Sequence, residues 1–198
     1  GGGYNLENSL RFRSSASAYL SRTPATAGNR KTWTWSAWVK RGTLGAGLLQ
    51  QLFGARNGAV SPYTLFYIEA DVLKFLDSLG TNLITTAVYR DPSAWYHIVL
   101  SIDTTQAVTS NRAKIYVNGE LQTLTTAAYP SLNADLTVNS TYPHGIGSQP
   151  YPIQFLDGYL TEVNFVDGQA LTQNDFGETN ADTGVWQPAK YTGTYGTN

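Results

Sequence analysis

The stretch "QFLDGYLTEVNFVDGQALTQNDF", residues 154–176, places two Asp-Gly pairs on either side of an alternating run. Asp157-Gly158 and Asp167-Gly168 are typical of turns, because both residue types tolerate positive φ. Side chains two positions apart in a strand share one face of the sheet. The alternating residues in this run are Tyr159, Thr161, Val163 and Phe165. The pattern predicts the closing strand of a two-sheet β-sandwich.

The same period of two recurs along the chain. "TWTWSAWVK" predicts a strand that buries Trp33, Trp35, Ala37 and Val39 on one face. "WYHIVLSID" predicts another strand, whose apolar face holds Tyr96, Ile98, Leu100 and Ile102. Asn118-Gly119 suits a two-residue hairpin turn.

Helical signals are weak throughout. The exception is "LTQNDFG", where Thr172 can cap a single turn that Gly177 ends. We therefore expect an all-β, two-sheet antiparallel jelly-roll sandwich over residues 1–177. Residues 178–198 lose the alternation and are expected to form an extended C-terminal tail or linker.

Composition excludes several classes of function. The net charge is −1 with scattered cations, so no basic stripe is available for nucleic acid or an anionic membrane surface. The chain has no cysteine, which excludes disulfides, thiolate nucleophiles and cysteine-bound zinc. No apolar run approaches the ~18 residues of a membrane span, so we expect no membrane insertion.

Seven segments together resemble the concanavalin A-like, laminin-G-type jelly roll, in family order over residues 9–172. They are "SLRFRSSASAYLS", "TWTWSAWVKR", "LFGARNG", "WYHIVLSID", "KIYVNGELQ", "IGSQ" and "FLDGYLTEVNFVDGQALT". In addition, "LSRTPATAGNRKTWTWSAWVKR" and the tail "GVWQPAKYTGTYGTN" are similar to laminin-G-like domains in structural proteins of tailed bacteriophages, marine ones especially. This second resemblance implies a component of a virion.

Glycoside hydrolases built on this jelly roll carry a Glu-x-Asp-x-Glu cluster on one strand, with all the carboxyl groups on one face. "IEADVLK" supplies Glu69 and Asp71, but Leu73 stands where the third carboxylate is needed. Without it, no acid protonates the leaving oxygen. We therefore expect no enzymatic activity.

Metal ligands are also sparse. Many laminin-G-type domains hold a structural calcium at the sandwich rim, which makes Asp103, Asp157 and Asp167 candidate ligands at predicted strand ends. Neighbouring acidic residues are missing, and turn capping is the alternative role for these aspartates. His97 and His144 lack a carboxylate at zinc-ligand spacing, and we expect His97 to be a partly covered strand residue.

Aromatic side chains are the main signal for ligand binding, since sugars stack on exposed rings. Tyr142, His144 and Tyr151 share the loop of residues 139–152, and Trp38 and Trp95 lie opposite the predicted core faces of their strands. Each group has a plainer alternative. The tryptophans can fill a core, and the tyrosines can pack on the sandwich or against a neighbouring subunit.

Three functions from different classes remain open. The first is a non-catalytic virion module on a capsid or tail, whose partners are other virion proteins or copies of itself, with host cell-surface polysaccharide as a further candidate partner. The second is an extracellular carbohydrate-binding module of a secreted protein. The third, disfavoured by Leu73, is a β-glucanase-like enzyme.

Overall fold

The computed structural model describes residues 4–197, and the regular secondary structure of this part of the chain is almost entirely β-strand. Helix is limited there to three single 3-10 turns, Ser14–Ala16, Thr109–Asn111 and Gln173–Asp175. The strands are β1 (Leu10–Phe12), β2 (Leu20–Arg22), β3 (Thr32–Arg41), β4 (Leu49–Asn57), β5 (Val60–Glu69), β6 (Val72–Asp77), β7 (Asn82–Thr85), β8 (Trp95–Asp103), β9 (Ala113–Val117), β10 (Glu120–Leu121), β11 (Leu124–Ala128), β12 (His144–Ile146), β13 (Gly158–Asp167), β14 (Gly177–Thr179) and β15 (Trp186–Pro188). The predicted all-β class is confirmed, and the last helical turn begins after Thr172 as expected, with the backbone N–H of Thr172 donating to Asp175 Oδ2.

Two antiparallel sheets enclose the core. The six-stranded sheet has the order β1-β13-β3-β8-β9-β10, and the seven-stranded sheet has the order β11-β7-β6-β5-β4-β12-β2. Trp33 and Trp35 of β3 are fully buried, and their rings lie 6.1 and 5.8 Å from that of Phe53 on the opposite sheet. Replacing either tryptophan with alanine would cost about 3–5 kcal/mol. The predicted apolar faces of β3 and β8 are confirmed.

A β-bulge interrupts β13. Thr161 pairs with Trp38 and Asn164 pairs with Ser36, so two residues of β13 face one residue of β3. Within the bulge, Glu162 has a φ of 50°. Because the extra residue reverses the alternation, Phe165 packs on the core whereas Thr161 lies on the outer face. The prediction that the whole run shares one face is therefore wrong for Phe165.

The outer face of the six-stranded sheet, away from the core, is partly covered by the chain termini. Residues 177–188 form a C-terminal hairpin, in which β14 pairs with β15. After it, Tyr191 packs with Phe176 in a second apolar cluster on this face. The boundary predicted after residue 177 stays a prediction, but the described part of the tail is packed on the sandwich.

Gly119 allows the C-terminal hairpin to approach the sheet closely, and Gly177 allows the ring of Trp186 to lie across the hairpin itself. A Cβ on Gly119 or Gly177 would lie 2.5 Å from the ring of Trp186. Gly119 also takes a φ of 84° beside Asn118 at 49°, which confirms the predicted hairpin turn between β9 and β10. Within residues 4–197, no helix is long and apolar enough to cross a membrane.

Candidate ligand-binding site

A cleft of about 430 Å³ lies on the outer face of the six-stranded sheet. We call it the outer-face cleft. Trp38, Trp95 and Thr161 form its base. One side is the N-terminal segment, residues 4–9, and the other is residues 187–188 of the C-terminal hairpin. The cleft therefore combines two indole rings with the amide, hydroxyl and carboxylate groups of the two terminal segments.

The bulge in β13 holds the N-terminal side of the cleft in place. Thr161 Oγ1 donates a hydrogen bond of 2.6 Å to the carbonyl oxygen of Asn8. The hydroxyl of Tyr4 donates a bond of 2.8 Å to Glu162 Oε1, and this bond is the main reason that the pKa of Tyr4 is raised. Bulges often redirect side chains beside functional sites. Here the bulge presents two successive residues to the segment that completes the cleft.

A stack of three rings holds the C-terminal side of the outer-face cleft in place. His97 lies between Trp38, at 4.9 Å between ring centroids, and Trp186, at 6.0 Å. The Nε1–H of Trp186 donates to His97 Nδ1 over 2.8 Å, so the proton of the neutral imidazole resides on Nε2. Burial lowers the pKa of His97 to about 4, which keeps the ring neutral at pH 7. We call this set the Trp38–His97–Trp186 stack.

Sequence reasoning missed most of this stack. His97 was expected to be partly covered, but it is only 1% exposed. The cover is Trp186, which follows it by 89 residues and belongs to a segment with no alternating pattern. No local signal in the sequence joins the two residues.

The five candidate ligand-binding residues divide among different places. Trp38 and Trp95 meet in the outer-face cleft. His144 instead lines a smaller apolar cleft of about 230 Å³ between β2, β12 and Phe165. Tyr142 and Tyr151 line neither cleft, and Tyr151 is 47% exposed. The predicted cluster of Tyr142, His144 and Tyr151 is thus not brought together around one cavity.

His144 is held by the backbone of its own loop. Its Nε2 accepts the backbone N–H of Asn139 over 2.8 Å, and its Nδ1 lies 2.8 Å from the carbonyl oxygen of Tyr142. Both ring nitrogens therefore have partners, with the proton on Nδ1. Burial is the main reason that the pKa of His144 is lowered. These contacts give the ring a structural role in ordering the loop.

The three candidate calcium ligands lie apart. Asp103 and Asp167 flank the start of β3, whereas Asp157 lies beside its end. Each carboxylate already accepts a hydrogen bond. Asp103 accepts one from the hydroxyl of Thr105, Asp167 from the backbone N–H of Asn29, and Asp157 from the hydroxyl of Thr43. Among residues 4–197, no three His, Cys, Asp or Glu side chains are grouped to hold a metal. The three aspartates do not form one calcium site.

The partial carboxylate motif forms a turn and not one strand face. β5 ends at Glu69, and Ala70 and Asp71 both have positive φ, 49° and 66°, before β6 begins. Leu73 is buried in the core. These three positions therefore do not share one strand face, because the hairpin turn separates them.

Both carboxylates of this turn are in ion pairs. Asp71 contacts Arg41 at 2.7 Å and Arg90 at 3.0 Å, and Glu69 contacts Lys74 at 2.5 Å. Burial alone would raise the pKa of Asp71, but the hydrogen bond and charge of Arg41 outweigh it, and the pKa is lowered. Arg41 is 1% exposed, so this pair is part of the interior.

The two-sheet sandwich defines a lectin-like class of fold, and comparison with known families agrees. Residues 14–175 match the family model of the concanavalin A-like lectin/glucanases superfamily, of the laminin G type. The chain belongs to this family. Comparison with curated protein sequences finds no match.

Solved structures with the same fold are distant in sequence. The heptameric SAP-like pentraxin of Limulus polyphemus is 15% identical with a TM-score of 0.54, over 85% of this chain and 74% of that one. Domains LG4-5 of the mouse laminin alpha1 chain are 15% identical with a TM-score of 0.55, over 79% of this chain and 40% of that one. The CBM40 of Ruminococcus gnavus IT-sialidase is 15% identical with a TM-score of 0.51, over 78% and 95% of the two chains. These similarities establish the fold alone.

Proposed function

We propose that this domain is a non-catalytic module that binds polysaccharide in the outer-face cleft. The observation that carries the proposal is the meeting of Trp95 and Trp38 with polar side chains from two separate terminal segments. A sugar presents an apolar ring face and a rim of hydroxyl groups. An indole ring packs against the face, while amide and carboxylate groups bond to the rim.

The polar groups of the cleft suit this chemistry. Asn5, Asn8 and Gln187 carry amides, which both donate and accept hydrogen bonds, and Glu7 carries an acceptor. A volume of about 430 Å³ lies within the ordinary range of ligand cavities. The apolar cleft at His144 is smaller and offers fewer polar partners. The outer-face cleft is therefore the better candidate.

The test is a glycan array followed by titration calorimetry on any ligand found. Trp95→Ala should weaken binding several-fold, since the loss of one stacked ring costs about 1 kcal/mol or more. Leu132→Ala is the matched control, because Leu132 is 53% exposed in the loop between β11 and β12 and lines neither cleft. Equal binding by wild type and Trp95→Ala would refute the proposed site.

The absence of catalysis is part of the proposal and has its own test. Its support is that Glu69 and Asp71 lie in a hairpin turn and are both engaged by cations. Purified protein should release no reducing ends from laminarin, agarose or alginate. Hydrolysis that disappears in Glu69→Gln would establish an enzyme instead.

The biological setting that we propose is a bacteriophage virion, on the capsid or the tail. Its support is the resemblance of residues 20–41 and 184–198 to phage structural proteins. Within these segments, residues 20–22 form β2 of the seven-stranded sheet, residues 32–41 form β3 of the six-stranded sheet, and residues 186–188 form β15 of the C-terminal hairpin. Mass spectrometry of purified particles should identify the chain. If the domain were instead part of a secreted protein that also carries a catalytic domain, this would favour an extracellular carbohydrate-binding module.

A further inference from the structure

A row of four side chains crosses the outer face of the six-stranded sheet at the edge of the outer-face cleft. Arg11 of β1 pairs with Tyr159 of β13, Tyr159 pairs with Lys40 of β3, and Lys40 pairs with Trp95 of β8. Cations and aromatic rings therefore alternate along four adjacent strands. We call this set the cation–aromatic row. It begins at Trp95, which also lines the cleft.

The strand alternation places the whole row outside the core. Phe12, Leu160 and Val39, which neighbour Arg11, Tyr159 and Lys40 in sequence, are buried in the core cluster. Their neighbours must then point to the other face. With adjacent strands about 4.8 Å apart, the row spans about 14 Å. This length suits an extended ligand that continues beyond the cleft.

The two rings of the row lie close together, and Arg11 lies over one of them. The guanidinium carbon of Arg11 lies 5.8 Å from the centre of the Tyr159 ring. The rings of Tyr159 and Trp95 lie 6.5 Å apart at 60°, on the two strands that flank Lys40. Both rings and both charges can therefore be reached by one polymer chain lying across the strands.

The two cations are available to an anion. Within residues 4–197, neither Arg11 nor Lys40 takes part in an ion pair. The acidic group that interacts with Lys40 is Asp91, but the pKa of Asp91 is lowered chiefly by the hydroxyl and amide of Ser93, with Lys40 a minor cause. Within the described part of the chain, the Arg11 guanidinium lies over the Tyr159 ring and makes no side-chain hydrogen bond or ion pair, which leaves its N–H groups free to bond.

The cleft itself has the opposite charge. Glu7 lines it, Glu162 is bonded to its Tyr4, and among the described residues 4–197 no lysine or arginine lines it. An acidic sugar would be repelled by Glu7 in the cleft and attracted by Arg11 and Lys40 along the row. The charge distribution thus sets the direction of a bound chain, with a neutral sugar in the cleft and acidic groups over the row.

We propose that the cation–aromatic row is an anion subsite, and that the ligand of the domain is an acidic polysaccharide carrying carboxylate or sulfate groups. This inference rests on the proposed function, because it extends the same site. The rings of Tyr159 and Trp95 pack against sugar faces, while Arg11 and Lys40 bond to the acidic groups.

The experiment compares charged polymers with uncharged partners of the same backbone, by affinity electrophoresis and calorimetry. Polygalacturonate and its methyl ester test carboxylate, and κ-carrageenan and its desulfated form test sulfate. Binding of only one charged polymer identifies the acidic group. Arg11→Gln and Lys40→Gln should each weaken that binding about three- to five-fold and reduce its salt dependence. Arg22→Gln is the control, since it makes the same charge change on the seven-stranded sheet.

The outcomes separate this inference from the proposed function. If Trp95→Ala weakens binding but Arg11→Gln and Lys40→Gln do not, the anion subsite is refuted and the polysaccharide cleft stands. Equal affinity for a charged polymer and its neutral partner would also refute the subsite. If Trp95→Ala changes nothing, the proposed function fails as well. Circular dichroism of each variant confirms that the sandwich is folded.

Discussion

Lowering the pH from 7 to 5 should destabilise the domain, and His97 should cause most of the loss. The folded protein holds the pKa of His97 at about 4, against 6.5 for an ordinary histidine, because the ring is buried. As the pH falls, His97 therefore binds a proton at a higher pH in the unfolded chain than in the folded protein. The stabilisation is present above pH 6.5 and is lost progressively as the pH falls toward 4.

The size of the effect follows from the two pKa values. The full difference between the folded and unfolded pKa values corresponds to about 3 kcal/mol of stabilisation, of which about 2 kcal/mol is lost between pH 7 and 5. Carboxylates whose pKa is lowered, such as Asp71 and Asp103, contribute only at more acidic pH. The interval from pH 7 to 5 therefore isolates the histidines.

Urea unfolding at pH 7 and pH 5 measures this loss directly. His97→Phe keeps an aromatic ring in the stack but cannot be protonated, so its free energy of unfolding should change much less between the two pH values. His144 contributes in the same direction, because its pKa is also lowered. The chain has two histidines, so the double variant with His144→Gln should show almost no change. An undiminished pH dependence in His97→Phe would refute the reasoning.

Further predictions concern the interior and the C-terminal hairpin. Trp186→Ala removes the ring that covers His97, so it should lower the free energy of unfolding by about 2–3 kcal/mol. It should also expose residues 177–197 to protease, and equal cleavage of the variant and the wild type would contradict this. Arg41→Met leaves the buried carboxylate of Asp71 without its main partner, so it should lower the free energy of unfolding in urea by about 3 kcal/mol. Arg90→Met removes an exposed partner of the same carboxylate and should lower it by less than about 1 kcal/mol.

The sequence was sufficient for the parts of the fold that depend on uninterrupted alternation. β3 and β8 keep a period of two over their whole length, so their buried faces were predicted correctly. The Asn118-Gly119 turn was also predictable, since these residue types tolerate positive φ. Glu162 and Ala70 adopt positive φ although their residue types rarely do, so the bulge and the turn that contain them carry no comparable signal.

The candidate site was predictable only in part. Trp38 and Trp95 were identified because alternation places them opposite the core. The two sides of the cleft come from residues near opposite ends of the chain, and such contacts between distant segments leave no periodic pattern. The row from Arg11 to Trp95 likewise depends on the order β1-β13-β3-β8, which pairs Arg11 with Tyr159, a residue far away in the sequence. Strand order is a property of the whole sandwich and not of any one segment.

The central claim is that polysaccharide binds in the outer-face cleft, and a crystal structure of the domain with a bound oligosaccharide tests it most directly. We predict a sugar ring packed against the indole of Trp95, within hydrogen-bond distance of residues 4–9 or Gln187. A sugar bound instead at the loop of Tyr142 and Tyr151, or in the apolar cleft at His144, would contradict the account.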